Sequence, residues 1–333
     1  MQVQGFQPNQ VSHLLSPILQ PQQGQVASRK PFIEANTQQV KLRHLEQDCV
    51  IPVFSRDNER TLSHQEFIEA TYQALDSAFG LHSVNAPEIR VSHTVKGRAP
   101  EAIHKSVKDL QEHEKTIYYE RMAFAIEVKG FTNTIAGNPL TLTVGGVRAY
   151  NTENLFNKKV LEHFKFFIGF QNLVCCNMCV SSDGFVEDMR VSSMQELSAK
   201  ITDTIRRYNA ENHLSEMRKL TQQSVTEQQF AQIIGKCRLY QYLPKSEKLR
   251  IPSLSFNDTQ VTAIAREYFQ DENFSREAKG EIDLWRMYNL FTGANKSSYI
   301  DQFLSRGVNA FELVKGVSDA LSNPQSAYSW FLK

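Results

Sequence analysis

Apolar residues recur at every second position through the middle of this chain and at helical spacing through its C-terminal part. Ile89, Val91, His93 and Val95 alternate with Arg90, Ser92 and Thr94, the pattern of a half-buried strand. Met122, Phe124, Ile126 and Val128 alternate with Arg121, Ala123, Ala125 and Glu127 in the same way. Past the turn-forming cluster Ala136-Gly137-Asn138-Pro139, Leu140, Leu142 and Val144 alternate with threonines, so these two strands are expected to be antiparallel neighbours. Gly145-Gly146 is expected to end or bulge the second one. Phe164, Phe166, Ile168, Phe170, Val174, Cys176, Met178 and Val180 share one parity, broken only by Asn172. Strands usually run about five to six residues, which predicts a split near 169–172 into two strands or one bulged strand. His93, on the apolar parity, reads as a hydrogen-bonded core histidine.

Helix signals bracket this region. Ser63 with Glu66 forms a capping box, Phe67, Ile68, Leu75 and Phe79 fall near one face, and Gly80 supplies a stop, predicting a helix over 63–79 packed on the sheet. Pro100 opens a polar segment expected to be helical over 101–114. Beyond Gly184, Ser193 with Glu196 precedes Leu197, Ile201, Ile205 and Tyr208 at helical spacing. Thr226 with Gln229 starts another helix, and Pro244 and Pro252 bracket a linker. Val261, Ile264, Ala265 and Tyr268 mark one more, and so do Leu284, Met287, Tyr288 and Phe291. Ser298 with Asp301 precedes a last helical region reaching about 321. The fold class is therefore α+β: a Gln-rich flexible tail (1–30), a largely antiparallel sheet with helices on one face (31–190), and a mostly helical region packed on it (191–333).

Composition narrows the function classes. Residues 1–28 contain no Lys, Arg, Asp or Glu and are rich in glutamine. Such a segment buries too little to offset its ordering entropy, though Val11 to Leu19 could dock on a protein partner. With a net charge of +1, any nucleic-acid surface must be local. No apolar run is long enough for a membrane span and no signal peptide is evident, so a cytoplasmic protein is expected. The odd count of five cysteines, two of them adjacent, fits reduced thiols.

Three constellations could carry chemistry. Arg148, Tyr150, Asn151, Asn154, Lys158 and Lys159 mix cations, an aromatic ring and amides in one loop, a set suited to single-stranded DNA, although asparagine clusters also simply make turns. Glu127 and Lys129 form an E-x-K pair on one strand face, where a carboxylate could hold Mg²⁺ and a lysine could position phosphate. That reading needs an upstream acid, and only Asp109 or Glu114 is offered, in a helical setting. Cys176 and Cys179 have CxxC spacing, but residues i and i+3 of a strand face opposite ways, so they read as small apolar residues and not metal ligands. No cofactor is indicated. Trp285, Asn289 and Thr292 lie on one helical stripe, a core-facing edge with a buried amide.

The stretches 97–130, 137–156, 164–184 and 285–313 resemble domain-of-unknown-function family 3871, a group from Bacteroides-like bacteria. Arg148 to Asn151, Val174 to Asn177 (with Cys176 and Asn177) and Trp285 to Thr292 are more distantly similar to elements of the phage/plasmid-like family. The resemblance implies a mobile-element context and supplies no catalytic residues. A non-enzymatic, DNA-associated protein follows as the leading expectation. An Mg²⁺-dependent nuclease and a protein-interaction or inhibitor module are the alternatives.

Overall fold

The computed structural model describes residues 30–50, 61–80, 83–152 and 161–333. In chain order these form β1 (Gln38–Val40), α1 (Leu42–Gln47), α2 (His64–Phe79), β2 (Glu88–Val91), β3 (Thr94–Arg98), β4 (Lys115–Tyr119), β5 (Arg121–Ile135), β6 (Asn138–Ala149), β7 (Glu162–Asn172), β8 (Met178–Cys179) and β9 (Phe185–Val191). The helical part follows with α3 (Met194–Arg207), α4 (Ala210–Leu220), β10 (Ser224–Val225), α5 (Glu227–Tyr242), α6 (Lys245–Lys248), α7 (Asp258–Gln270), β11 (Ile282–Asp283), α8 (Leu284–Asn295) and α9 (Ile300–Ser322). The main sheet runs β1-β2-β5-β6-β7, with β8 and β9 both on the far edge of β7, and all its pairings are antiparallel. None of the helices is long and apolar enough to cross a membrane, among the described residues.

Local chemistry builds the predicted elements. Ser63 accepts the Glu66 N–H while Glu66 accepts the Ser63 N–H (2.7 Å), and Gly80 closes α2 at φ +91°. The β5–β6 hairpin turns on Ala136 and Gly137, both at positive φ (46° and 78°), the two-residue geometry whose twist matches its flanking strands. Period two sorts the side chains. Phe124, Ile126, Val144, Phe164, Phe166 and Ile168 meet α2 and α3, with Phe67 of α2 edge-on to Phe124 and Phe164 at 5.0 and 4.8 Å. Ala123, Ala125, Val147, Phe167, Met178 and Val180 form the opposite face, closed by Phe32 and Ile33 and by Ile300, Phe303, Leu304 and Val308 of α9. The segment before β1 and helix α9, far apart in sequence, therefore complete the sheet's second face.

Three expectations are corrected. Gly145 and Gly146 neither end nor bulge β6; both lie in regular pairing with β5 and β7. A Cβ on Gly146 would overlap the Phe67 ring, and one on Gly145 the Phe124 carbonyl, so the pair admits close neighbours on both faces. His93 is exposed, because β2 stops at Val91 and the chain turns away into the separate β3–β4 ribbon. The segment 101–114 makes three short 3₁₀ turns and no helix. Its apolar residues Ile103 and Val107 stay exposed, so tertiary packing gives a helix no support, and Lys105 and Glu114 are joined in an ion pair. Ser298 precedes α9 as expected and is buried, donating to Asn295 (2.7 Å) and accepting from Gln260 (2.9 Å) and Arg306. The long apolar run does split, β7 ending at Asn172 and β8 resuming at Met178.

Candidate functional site

The connection from β6 to β7 carries the candidate binding residues, and its base is fixed by side chains that point inward. Arg148, which has no accessible surface, lies between the rings of Phe164 (4.1 Å) and Tyr150 (4.8 Å) and is ion-paired with Glu162, the first residue of β7. The Glu162 carboxylate also accepts the Leu62 N–H at 3.1 Å, and the Tyr150 hydroxyl donates to the Leu62 carbonyl at 3.3 Å. His64 stacks on Tyr150 at 4.5 Å and donates through Nε2 to the Tyr119 carbonyl at 2.8 Å. Burial pulls the His64 imidazole down to about 3, with the nearby Arg148 charge acting the same way.

Arg148 and Tyr150 are therefore corrected as outward-facing contact residues. A cation held between two rings and paired with a carboxylate is engaged inside the protein. Asn151 is exposed and accepts from Arg121 Nε at 3.3 Å. Asn154, Lys158 and Lys159 lie outside the described residues, as does the tail over 1–28. Sequence reasoning missed Glu162 and His64, whose partners are distant in the chain.

The Trp285 stripe converges with the turn after β7. Asn172 Nδ2 donates to Asn289 Oδ1 (3.1 Å), Asn177 Nδ2 to the Asn289 carbonyl (3.0 Å), and Asn289 Nδ2 to the Trp285 carbonyl (2.9 Å). Trp285 Nε1 donates to Asn138 Oδ1 of the β5–β6 hairpin (2.7 Å), and Thr292 donates to the Tyr288 carbonyl (3.1 Å). Lys296, also buried, donates to the Cys175 carbonyl and pairs with Glu34 at 3.8 Å. Helix α8 is thus stitched to the turn after β7. The amides, the indole, the Thr292 hydroxyl and the Lys296 ammonium are all engaged with backbone or with one another, so the arrangement positions backbone. Asn172, the residue that broke the apolar parity, was the signal for it.

Cys176 sits buried in that turn at φ +58°, and Cys179 is buried opposite Phe170. The half-buried Cys175 donates to Asn289 Oδ1 at 3.8 Å, and burial raises its thiol to about 12, so it stays protonated at neutral pH. No group of three or more His, Cys, Asp or Glu is placed to hold a metal among the described residues.

Glu127 and Lys129 lie where the β5–β6 ladder breaks, in a bulge that contains Gly130 at φ +77°. Glu127 accepts from Asn85 at 3.0 Å, and the Lys129 backbone donates to the Ser83 carbonyl at 2.6 Å. The acid whose charge couples to Glu127 is neither Asp109 nor Glu114 but Glu88 of β2, which pairs with Ala125 of β5. Burial raises the Glu88 pKa, and the Glu127 charge adds to that, against the Phe32 N–H and the Arg90 and Lys296 charges.

No curated protein and no solved structure matches the chain. The family model described as "Domain of unknown function, B. Theta Gene description (DUF3871)" matches residues 17–332. The match spans the sheet, the base of the β6–β7 connection and the amide network, and the chain belongs to the DUF3871 family.

Proposed function

We propose that the protein is a non-enzymatic, DNA-associated protein of a mobile element, acting in the cytoplasm and holding a single strand at the β6–β7 connection. The observation that supports this reading is the pinned base. Arg148 and Glu162 bridge the two strands from which the connection leaves and returns, and binding loops work best on a rigid frame. Arg148 and Tyr150 build that frame. The contacts to the strand then fall to Asn151, Asn154, Lys158 and Lys159, cations for phosphates and amides for base edges. The test is binding of labelled single-stranded oligonucleotides over a salt series. Lys158→Ala with Lys159→Ala should flatten the salt dependence by about two counterions' worth. No binding at low salt would remove this reading.

A second reading is an Mg²⁺-dependent nuclease, favoured by one observation: Glu88, whose charge couples to that of Glu127, supplies the acid that the E-x-K pattern lacked. Incubation with DNA and Mg²⁺ or Mn²⁺ separates the two readings. Cleavage lost in Glu88→Gln and in Lys129→Ala would favour the enzyme; cleavage unaffected by either would point to contamination.

A further inference from the structure

Leu239 (59% exposed) and Tyr242 (79%) lie three residues apart on one face of α5, and Leu249 (88%) follows α6. Scattered exposed apolar residues need no explanation, but three such side chains within 239–249 form a concentration that does. The same stretch is strongly basic. Between 236 and 250 stand Lys236, Arg238, Lys245, Lys248 and Arg250 against the single acid Glu247, in a chain whose whole net charge is +1. Arg238 is matched by Asp258 in a two-pronged ion pair (2.7 and 2.9 Å). Lys245 and Arg250 are exposed and enter no ion pair among the described residues.

Ring and ammonium contacts tie two of these lysines to aromatic side chains beside them. Lys236 Nζ lies 4.7 Å from the centre of the half-buried Trp330 ring, Trp330 packs edge-on to Tyr240 at 6.4 Å, and Lys248 Nζ stands 5.3 Å from the Tyr240 ring. Lys248 is further fixed by donating to the Gln241 carbonyl at 2.9 Å. Lys236, Trp330, Tyr240 and Lys248 thus form one aromatic and cationic cluster, and Leu239, Tyr242 and Leu249 are exposed on the same short stretch of chain. Cations favour an acidic occupant. The leucines find nothing to bury against on a phosphate backbone, whereas an amphipathic protein segment fills them.

We infer that the end of α5, α6 and the C-terminal Trp330 form a docking surface for an acidic amphipathic segment of a partner protein. The occupant presents apolar side chains to Leu239, Tyr242 and Leu249 and carboxylates to Lys245 and Arg250. This inference does not depend on the β6–β7 connection.

The probe is a fluorescent helical peptide with leucine along one face and glutamate along the other, titrated with the full-length protein. Binding is expected, weakening as salt rises from about 0.05 to 0.3 M. Lys245→Glu with Arg250→Glu should weaken it about tenfold, and Tyr242→Ala with Leu249→Asp should do the same. Circular dichroism on both variants checks that the fold is kept. Lys158→Ala with Lys159→Ala should leave this binding unchanged. A peptide with glutamine for glutamate should bind much more weakly. Failure to bind, or binding indifferent to both pairs of substitutions, overturns the inference. So does tighter, substitution-sensitive binding of oligo(dT) or of phosphatidylserine vesicles, which would assign the surface to nucleic acid or lipid.

Discussion

Among the described residues, no Lys, Arg, Asp or Glu is more deeply buried than Arg148. Its guanidinium is desolvated, flanked by two rings and matched by Glu162, so removing it strands a carboxylate that also holds the Leu62 N–H. Arg148→Ala should destabilise the protein by ~3–5 kcal/mol in urea unfolding, and Arg148→Lys should recover only part of that, because an ammonium cannot lie flat between two rings. The buried histidines set a pH dependence. Burial lowers His64 to about 3 and His213, beneath the Tyr208 hydroxyl (2.7 Å), to about 4. In the unfolded chain both take up protons near 6.5. The unfolded state thus binds more protons between those values, so stability is full above about 6.5 and falls as the pH drops, by up to ~1.4 kcal/mol per pH unit for each ring. Urea midpoints at neutral and mildly acidic pH should show the loss, and His213→Gln should remove about half of the slope. The place of Arg148 was legible in the sequence. It and Tyr150 continue the parity of Leu140, Leu142 and Val144, which meets the core. Ending the strand at the glycine pair is what hid this, along with the habit of reading arginine as a surface residue.

At the scale of elements, glycines and asparagines decide how closely the layers approach. Gly146→Ala should cost ~1–3 kcal/mol in thermal unfolding, partly recovered by Phe67→Leu, since one of its two obstacles is a side chain. Gly145→Ala meets the Phe124 backbone carbonyl and should have no such rescue. In the amide network, Asn289→Ala leaves the buried Asn172 amide without its acceptor and should cost ~2–3 kcal/mol, checked by urea unfolding. The helices around these layers were readable because capping residues and 3.6-residue periodicity are local properties; α2, α3, α5, α7 and α8 begin close to where those signals put them. The buried amide of Asn289 was also readable from its stripe. Its meeting with Asn172 and Asn177 was not, because hydrogen-bond partners more than a hundred residues apart leave no periodic trace.

For the molecule as a whole, one hydrophobic cluster runs from Leu45 to Phe331 and joins the sheet to the C-terminal helices. Phe170 of β7, His213 of α4 and Phe311 of α9 meet edge to face within it. The sheet region and the helical region should therefore unfold together: Trp285 and Trp330 fluorescence, which reports the C-terminal part, should coincide with far-ultraviolet circular dichroism in denaturant. Separate transitions would show that the two regions hold themselves up independently. A fragment ending at residue 190 leaves Ala125, Val147, Phe167 and Met178 without α9 over them and should be recovered in aggregates.

That second sheet face also sets a timetable for biogenesis. Ile300, Phe303, Leu304 and Val308 leave the ribosome more than a hundred residues after Met178 and Val180. During translation the strands can pair while one greasy flank still waits for its cover, a non-local closure that is inherently slow. A nascent chain stalled before residue 300 should accordingly be held by chaperones, and release should follow once α9 has been made.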